Sequence, residues 1–267
     1  MVGQSTLQNS ITSMIKHNAL PRFMIITGEK GSGKKTFVDY IHSSIDGAIM
    51  FNIGITVDAI RQAITQAHKL RGAVGVFLFA DADNMSVQAR NAMLKLAEEP
   101  PNNSYIIMTL EDINNTLPTI KSRAIVFEME RYTPQEIIEY ASITYNENNE
   151  IYGDLCNTPG EVDLLYRVGA EDFYEYVVKV VDNIAEVNGS NVFKIADKIA
   201  FKSEDEDKYD LRLFLKVFIK VCMDRGEVDD FKATKITSSA LSQLRITGIN
   251  KQMLFDKWIL EVRKAWR

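Results

Sequence analysis

Five short apolar runs in the first half of the sequence predict β-strands. They are "FMIITG" (23–28), "AIMFNI" (48–53), "AVGVFLFA" (73–80), "YIIMTL" (105–110) and "AIVFEM" (124–129). The runs are nearly continuous rather than alternating, which is typical of strands covered on both faces. Between them lie stretches with helical spacing, such as "TVDAIRQAITQAHKL" and "VQARNAMLKLAEE". For the latter, Ser86 is the expected N-cap. This alternation predicts a parallel sheet with helices on both sides.

Beyond Met129 the pattern becomes helical. Thr133, Pro134 and Glu136 are typical of a capping box that opens a helix. The amphipathic runs that predict later helices are 171–187, 190–202, 209–225, 233–247 and 250–265. Breaks are expected near "NGS", "KSEDEDK", "GEVDD" and "TGIN", and the acidic "SEDED" run is interpreted as a solvated loop. We therefore predict an α/β domain at 1–129, a small helical lid at 130–168 and an all-helical domain at 169–267.

Composition and net charge exclude several classes of protein. The chain has 267 residues and a net charge of -5, which argues against a protein that coats nucleic acid over its whole surface. Cys156 and Cys222 are far apart, so neither a cysteine-built zinc module nor a disulfide framework is expected. No apolar run has the length of a membrane span. We expect a soluble cytoplasmic protein with no membrane partner.

A glycine-rich stretch, "GEKGSGKKTF" (28–37), predicts a phosphate-binding loop. Gly28, Gly33 and Lys34 fit the pattern G-x-x-x-x-G-K-[ST], and the stretch lies between a predicted strand and a predicted helix. Backbone N–H groups and the helix N-terminus would attract phosphate there, and Lys34 would reach the outer phosphates. The alternative is a tight turn with chance glycines.

The magnesium-binding hydroxyl of such a loop is missing. Lys35 stands at the Ser/Thr position. Thr36 cannot replace that hydroxyl, because one residue along a helix rotates a side chain by about 100°. Magnesium is therefore expected only if a nucleotide binds.

The carboxylates of a nucleotide site are expected at the end of a later buried strand. Asp81 and Asp83 follow the run 73–80 and are the candidates. Either could instead be a loop carboxylate that caps the next helix, and the sequence leaves both interpretations open.

Residues 76–129 resemble the second half of the AAA+ module of bacterial clamp-loader subunits, the gamma and delta-prime subunits of DNA polymerase III. The resemblance rests on "NAMLKLAEEPP", on "LPTIKSRA" and on the phosphate loop, which occur in the family's order and spacing. It covers about residues 5–168, and the helical remainder is similar to the family's collar domain in size and class. The implied fold is a P-loop AAA+ α/β domain with a five-stranded parallel sheet and a small helical lid, followed by an all-α collar.

The resemblance also implies where this chain departs from the active subunits. The magnesium aspartate of those subunits falls on Ala80 and the catalytic glutamate on Asp81. The lid arginine that touches the outer phosphates falls on Asp163 of "TPGEVDLLY". A carboxylate there would repel phosphate by about 4 kcal/mol at 4 Å, for an effective dielectric near 20. Together with Lys35, these changes indicate that the chain does not hydrolyse ATP efficiently by itself.

One family feature is retained. "KSRA" matches the Ser-Arg-Cys motif, whose arginine reaches into the ATP site of the neighbouring subunit, and Arg123 matches that arginine. Such a finger stabilises transition-state charge and contributes roughly 10³–10⁵ in rate. The alternative is an arginine that caps a strand or pairs with Glu128.

The function that the resemblance implies is a delta-prime-like stator, which presents Arg123 in trans to a neighbouring ATPase. The expected partners are gamma/tau-like and delta-like subunits, the sliding clamp, and primer–template DNA in the assembled complex. ATP or ADP would bind weakly, and no zinc is expected because residues 43–75 lack the family's cysteines. The alternatives are an active AAA+ ATPase of the same family and a P-loop relic that serves as an oligomerisation module. The residues that would contact a nucleotide are Gly28, Gly31, Gly33, Lys34, Lys35, Thr36 and Asp81.

Overall fold

The five predicted strands form one parallel sheet in a computed structural model that describes residues 2–70, 72–184, 193–201, 208–244, 246 and 248–266. The strand order is β2-β3-β4-β1-β5, and every neighbouring pair is parallel. The strands are β1 Phe23–Thr27, β2 Ile49–Ile53, β3 Gly75–Phe79, β4 Ser104–Leu110 and β5 Ile125–Glu128. The predicted five-stranded parallel sheet is confirmed.

Helices cover both faces of this sheet. The helices of this part of the chain are α1 Ser5–Lys16, α2 Lys34–Ser43, α3 Val57–His68, α4 Val87–Glu98, α5 Pro118–Lys121 and α6 Pro134–Tyr145. Successive residues of a strand point to opposite faces. In β1, Phe23 and Ile25 pack in the core that includes residues of α3 and α4, while Met24 and Ile26 pack in the core that includes residues of α1 and α2. This double burial explains why the strand sequences are continuously apolar.

Helix starts follow the predicted caps. The Ser86 hydroxyl accepts a hydrogen bond from the Ala89 N–H at 3.1 Å. At α6 the capping box is reciprocal, because the Thr133 N–H donates to the Glu136 carboxylate at 2.8 Å and the Glu136 N–H donates to the Thr133 hydroxyl at 3.3 Å. Both predicted helix starts are therefore present.

The edge strands depart from the pattern of full burial. Ile49 in β2 and Ile125 and Val126 in β5 are exposed apolar side chains. Strands at the edge of a sheet have a neighbour on one side only, so the apolar content of their sequence overestimates their burial.

The described chain divides into two compact units. The first contains residues 1–140 with 158–160, and the second contains residues 141–157 with 161–267. The division falls inside α6 and inside α8 (Pro159–Val168). The bounds at residues 129 and 168 that separate the predicted domain, lid and collar stay a prediction.

The second unit is mainly helical. Its further helices are α7 Glu150–Leu155, α9 Ala170–Asn183, α10 Leu211–Arg225, α11 Val228–Gln243 and α12 Lys251–Ala265. Helix α11 begins five residues before the predicted run at 233, with Asp229 and Asp230 in its first turn. Within the predicted run 190–202 there is a 3-10 helix at Phe193–Lys198 and a two-residue strand, Ile199–Ala200, that pairs with Tyr209–Asp210. The predicted break at "NGS" (188–190) and the predicted acidic loop (203–207) lie outside the described residues.

Aromatic side chains fill the core among the helices α10, α11 and α12. Trp258 of α12 is buried, its ring packs edge-on at 5.0 Å from Phe218 of α10, and its indole N–H donates to the Thr237 hydroxyl of α11 at 2.9 Å. Both cysteines are buried, and burial raises the pKa of the Cys222 thiol to about 12. In the part of the chain that the structure describes, no helix has the length and apolar character needed to cross a membrane.

Candidate functional site

The predicted phosphate loop connects β1 to α2. The Gly28 N–H donates to the Leu110 carbonyl of β4 at 3.2 Å, and α2 begins at Lys34 after Gly33. Gly31 and Gly33 have φ of 81° and 84°, a left-handed conformation that favours glycine. The chain therefore forms a strand–turn–helix at the carboxyl edge of the sheet, where open α/β folds bind ligands.

The loop lysine is bound within its own loop. The Lys34 ammonium donates to the Gly28 and Glu29 carbonyls, at 2.8 Å in each case. Lys34 is only 9% exposed. A phosphate that recruited this ammonium would have to replace hydrogen bonds that the chain already supplies, so the loop lysine has satisfied donors without a nucleotide.

Residues 158–160 pack directly on the loop. The Gly160 N–H donates to the Gly31 carbonyl at 3.0 Å, and the Thr158 hydroxyl donates to the Lys30 carbonyl at 3.3 Å. The two backbones approach so closely that a Cβ on Gly160 would lie 2.6 Å from the Gly31 Cα. Glycine is required at both positions by this contact, and Gly31 is not among the residues that the loop pattern specifies.

A tyrosine holds the next loop carbonyl. The Tyr132 hydroxyl donates to the Ser32 carbonyl at 2.9 Å. Burial raises the pKa of Tyr132, so the phenol keeps the proton that it donates. Three consecutive carbonyls of the loop, those of Lys30, Gly31 and Ser32, thus accept hydrogen bonds from residues far along the chain. The loop conformation is fixed by the protein itself.

The residues at the predicted metal-binding positions supply few ligand groups for a cation. Lys35 and Thr36 are exposed on the first turn of α2, and Ala80 ends the β3 segment with a methyl group. Asp81 is exposed, has φ of 51°, and donates its backbone N–H to the Thr109 hydroxyl at 3.0 Å. Among the described residues, no three His, Cys, Asp or Glu side chains are grouped so that they could hold a metal ion.

Asp83, the other candidate carboxylate, accepts hydrogen bonds from the segment that follows β4. Its Oδ2 accepts from the Glu111 N–H at 2.7 Å, and its Oδ1 accepts from the Asn115 side-chain amide at 2.9 Å and from the Asp112 N–H at 3.3 Å. Since Ser86 caps α4, Asp83 does not cap that helix. It instead organises the loop after β4, a role that the sequence did not reveal.

The Asp83 contacts lead to a stability prediction. Asp83→Asn should destabilise the sheet unit by about 2 kcal/mol, because an amide in place of the carboxylate leaves at least one of the three donors without an acceptor. The isosteric change Asp81→Asn at the exposed neighbour should stay within about 0.5 kcal/mol. Hydrogen exchange of the β1 amides measures the free energy of opening for this unit, and equal values for the two variants would contradict the assigned role.

Asp163 lies in α8, and its position within the second unit is defined by a hydrogen bond. The Tyr145 hydroxyl donates to the Asp163 carboxylate at 2.9 Å, and the Tyr145 ring stacks on Tyr166 at 3.9 Å. The predicted effect of Asp163 on a bound phosphate stays a prediction.

Arg123 follows α5 and is accessible. Its side chain is 38% exposed and forms an ion pair with Glu98, with 3.1 Å between Nη2 and Oε1. Its Nη1 donates to the Thr119 carbonyl at 2.8 Å. The acidic partner is therefore Glu98 at the end of α4, and the alternative pairing with Glu128 does not occur within the part of the chain that the structure describes.

Comparisons with known proteins show similarity to subunits of DNA polymerase III. The family model described as "DNA polymerase III, delta subunit" matches residues 51–133. Among curated proteins, DNA polymerase III subunit gamma/tau of Mycoplasma genitalium is 24% identical over 167 residues, and subunit gamma of Buchnera aphidicola is 21% identical over 173 residues. Over about half of its length, the chain is thus similar to clamp-loader AAA+ subunits. Each alignment covers 52% of this chain and 28% or 47% of the relative, so the chain spans less than half the length of the curated relatives it matches.

Solved structures agree with the clamp-loader fold. A DNA polymerase III gamma subunit-related protein from Thermotoga maritima has a TM-score of 0.56 at 17% identity, over 97% of this chain and 99% of that one. A RuvB mutant from the same organism has a TM-score of 0.53 at 14% identity, over 100% of this chain and 87% of that one. The AAA domain of FIGL-1 in complex with ADP has a TM-score of 0.53 at 13% identity, over 71% and 77%. These likenesses show that the fold is AAA+.

The contacts that hold the candidate site in place were not predicted. Tyr132, Thr158 and Gly160 on the loop and Glu98 beside Arg123 come from distant parts of the sequence. One signal was available, because Gly31 is a glycine at a position where the loop pattern accepts any residue. An unrequired glycine in a turn indicates a close approach of another backbone.

Proposed function

We propose that this chain is a delta-prime-like stator, a largely non-hydrolysing clamp-loader subunit that supplies Arg123 to the ATP site of a neighbouring subunit. The observation that carries the proposal is the contrast between two cations. Lys34 is 9% exposed and is hydrogen bonded within its loop. The Arg123 side chain is 38% exposed, and only its Nη1 and Nη2 atoms form polar contacts with other residues of the described chain.

Weak or absent hydrolysis follows from the groups at the loop. A working site needs a hydroxyl and a carboxylate on magnesium and an acid that orients water. In this chain the corresponding positions carry Lys35, Ala80 and Asp81. Asp81 is the only carboxylate among those three, so metal binding would depend on water and on one side chain.

The finger role follows from the chemistry of the guanidinium. Arginine stays charged and presents a planar set of donors that matches phosphate oxygens. A stator needs a fixed scaffold and one such donor set, and needs no turnover of its own. Gamma/tau-like ATPase subunits are the proposed recipients, and delta-like subunits, the sliding clamp and primer–template DNA complete the proposed assembly.

Apolar side chains on the collar support assembly with other subunits. Met223 near the end of α10 and Val228 and Phe231 in the first turn of α11 are all more than half exposed. Exposed apolar side chains that form one contiguous patch are typical of protein interfaces, and these three lie within nine residues of the sequence. We propose that they contribute to the ring contacts of the collar.

Calorimetric titration of the isolated chain with Mg²⁺-ATP tests the degenerate site. We expect no detectable binding heat at millimolar nucleotide, because the Lys34 ammonium is already hydrogen bonded within the loop and Lys35 and Ala80 replace the magnesium ligands of active subunits. The gamma-type ATPase subunit of the same organism serves as the binding control. Stoichiometric, magnesium-dependent binding that Lys34→Ala abolishes would contradict the proposal and favour an active ATPase.

A further inference from the structure

The finger segment is held from two sides. Helix α4 ends at Glu98, and Pro100 and Pro101 follow, so the last carboxylate of the helix lies where the chain turns back toward β4. Helix α5 begins at Pro118 and is only four residues long, and Arg123 follows its C-cap, Ser122. The Arg123 guanidinium contacts both elements, through Glu98 at 3.1 Å and the Thr119 carbonyl at 2.8 Å.

The ion pair between Arg123 and Glu98 contributes little to the stability of the fold. Its side chains are 38% and 51% exposed, and exposed ion pairs contribute about 0–1 kcal/mol. The larger effect of the ion pair is to restrict the rotamers of the Arg123 side chain. A free arginine side chain has about 2 kcal/mol of rotamer entropy, which two anchors on different nitrogens remove before any ligand binds.

The anchored guanidinium keeps donors for a ligand. Arginine has five N–H donors, and the two contacts engage one on Nη1 and one on Nη2. Three N–H groups stay available on an exposed side chain. The two contacts thus anchor the guanidinium through Nη1 and Nη2 and do not engage its other three N–H groups.

We infer that Glu98 is a positioning residue for Arg123. The inference rests on the proposed finger function and adds a residue to it. Glu98 touches no phosphate; it holds the guanidinium in one orientation, so that the neighbouring ATP site meets a preorganised donor rather than a mobile side chain. Since misplacement of a catalytic group by 1 Å costs about 10²-fold in rate, loss of this anchor should be measurable.

The test uses the complete clamp loader reconstituted from the subunits of the source organism, with Mg²⁺-ATP, clamp and primed DNA. Glu98→Ala should lower kcat for ATP about tenfold and leave KM within about twofold, because the recipient's own nucleotide contacts are unchanged. Glu98→Gln keeps an acceptor for Nη2 and should recover most of the rate. Glu99→Ala removes the same charge from the adjacent exposed residue and is the matched control.

A double-mutant cycle separates positioning from a structural effect. In an Arg123→Ala background, Glu98→Ala should cause no further loss of kcat. An additional loss there, or an equal loss in Glu99→Ala, would overturn the inference. A reduced rate in Arg123→Ala together with a normal rate in Glu98→Ala would overturn the inference alone. An unchanged rate in Arg123→Ala would instead overturn the finger function on which it rests.

Discussion

Arg123→Ala should reduce the ATPase rate of the reconstituted clamp loader by roughly 10³, the lower end of the range for arginine fingers. The reason is electrostatic: the negative charge that develops on the transferred phosphoryl group loses the guanidinium that stabilises it. Steady-state ATPase assays with clamp and primed DNA measure the effect. Size-exclusion chromatography should show the same complex as for the unmodified chain, because the side chain is exposed and is not part of a core.

Two variants make this experiment specific. Arg123→Lys keeps the charge but loses the planar donor set, so it should recover only part of the rate. Lys121→Ala removes one positive charge from an exposed residue of α5, two positions away, and should have little effect. If Lys121→Ala and Arg123→Ala reduced the rate equally, general charge near the interface would be responsible and the finger assignment would be wrong.

Gly31→Ala should destabilise the sheet unit by about 2–5 kcal/mol. A methyl group at this position would lie 2.8 Å from the Thr158 hydroxyl and 3.0 Å from the Gly160 Cα. Overpacking of this kind costs about 1–3 kcal/mol. The left-handed backbone, with φ of 81°, adds about 1–2 kcal/mol for any residue with a Cβ.

Gly47→Ala is the matched control. Gly47 also has a left-handed backbone, with φ of 65°, but nothing lies within 4 Å of the position of its Cβ. It should therefore cost only the conformational part, about 1–2 kcal/mol. The difference between the two variants measures the contact between the loop and residues 158–160.

The probe for this comparison must report on the sheet. Both tryptophans, Trp258 and Trp266, lie at the C-terminus in the second unit, so tryptophan fluorescence does not follow unfolding of the first. Native-state hydrogen exchange of the β1 amides does. Equal destabilisation by Gly31→Ala and Gly47→Ala would show that residues 158–160 do not restrain the loop.

The sheet could be predicted from the sequence because each strand and helix start is encoded in a short stretch of residues. A strand buried on both faces must be apolar throughout, and a helix start needs a cap within three residues, so the strands and the caps at Ser86 and Thr133 were readable from short windows. The start of α11 was missed because "GEVDD" was interpreted as a break, whereas Asp229 and Asp230 lie in the first turn of the helix.

The site was predicted only in its local part. The glycines and Lys34 of the loop form a contiguous pattern, whereas the partner of Arg123 depends on how α4 and α5 come together in space. Glu128 was named only in the alternative interpretation of Arg123, and the fold supplies Glu98 as the acidic partner. The same holds for Asp83, whose three donors lie 28 to 32 residues further along the chain.

The strand order has a consequence for synthesis on the ribosome. β1 is the first strand to emerge, yet its two neighbours in the sheet are β4 and β5, and Phe23 pairs with Ile106. At about 5–20 residues per second, β1 waits roughly 4–16 s before β4 has been translated. During that time a fully apolar strand has no ladder partner, so the nascent chain depends on α1 and α2, or on chaperones, to shield it. β1 has both of its ladder partners only after β5 has also been translated.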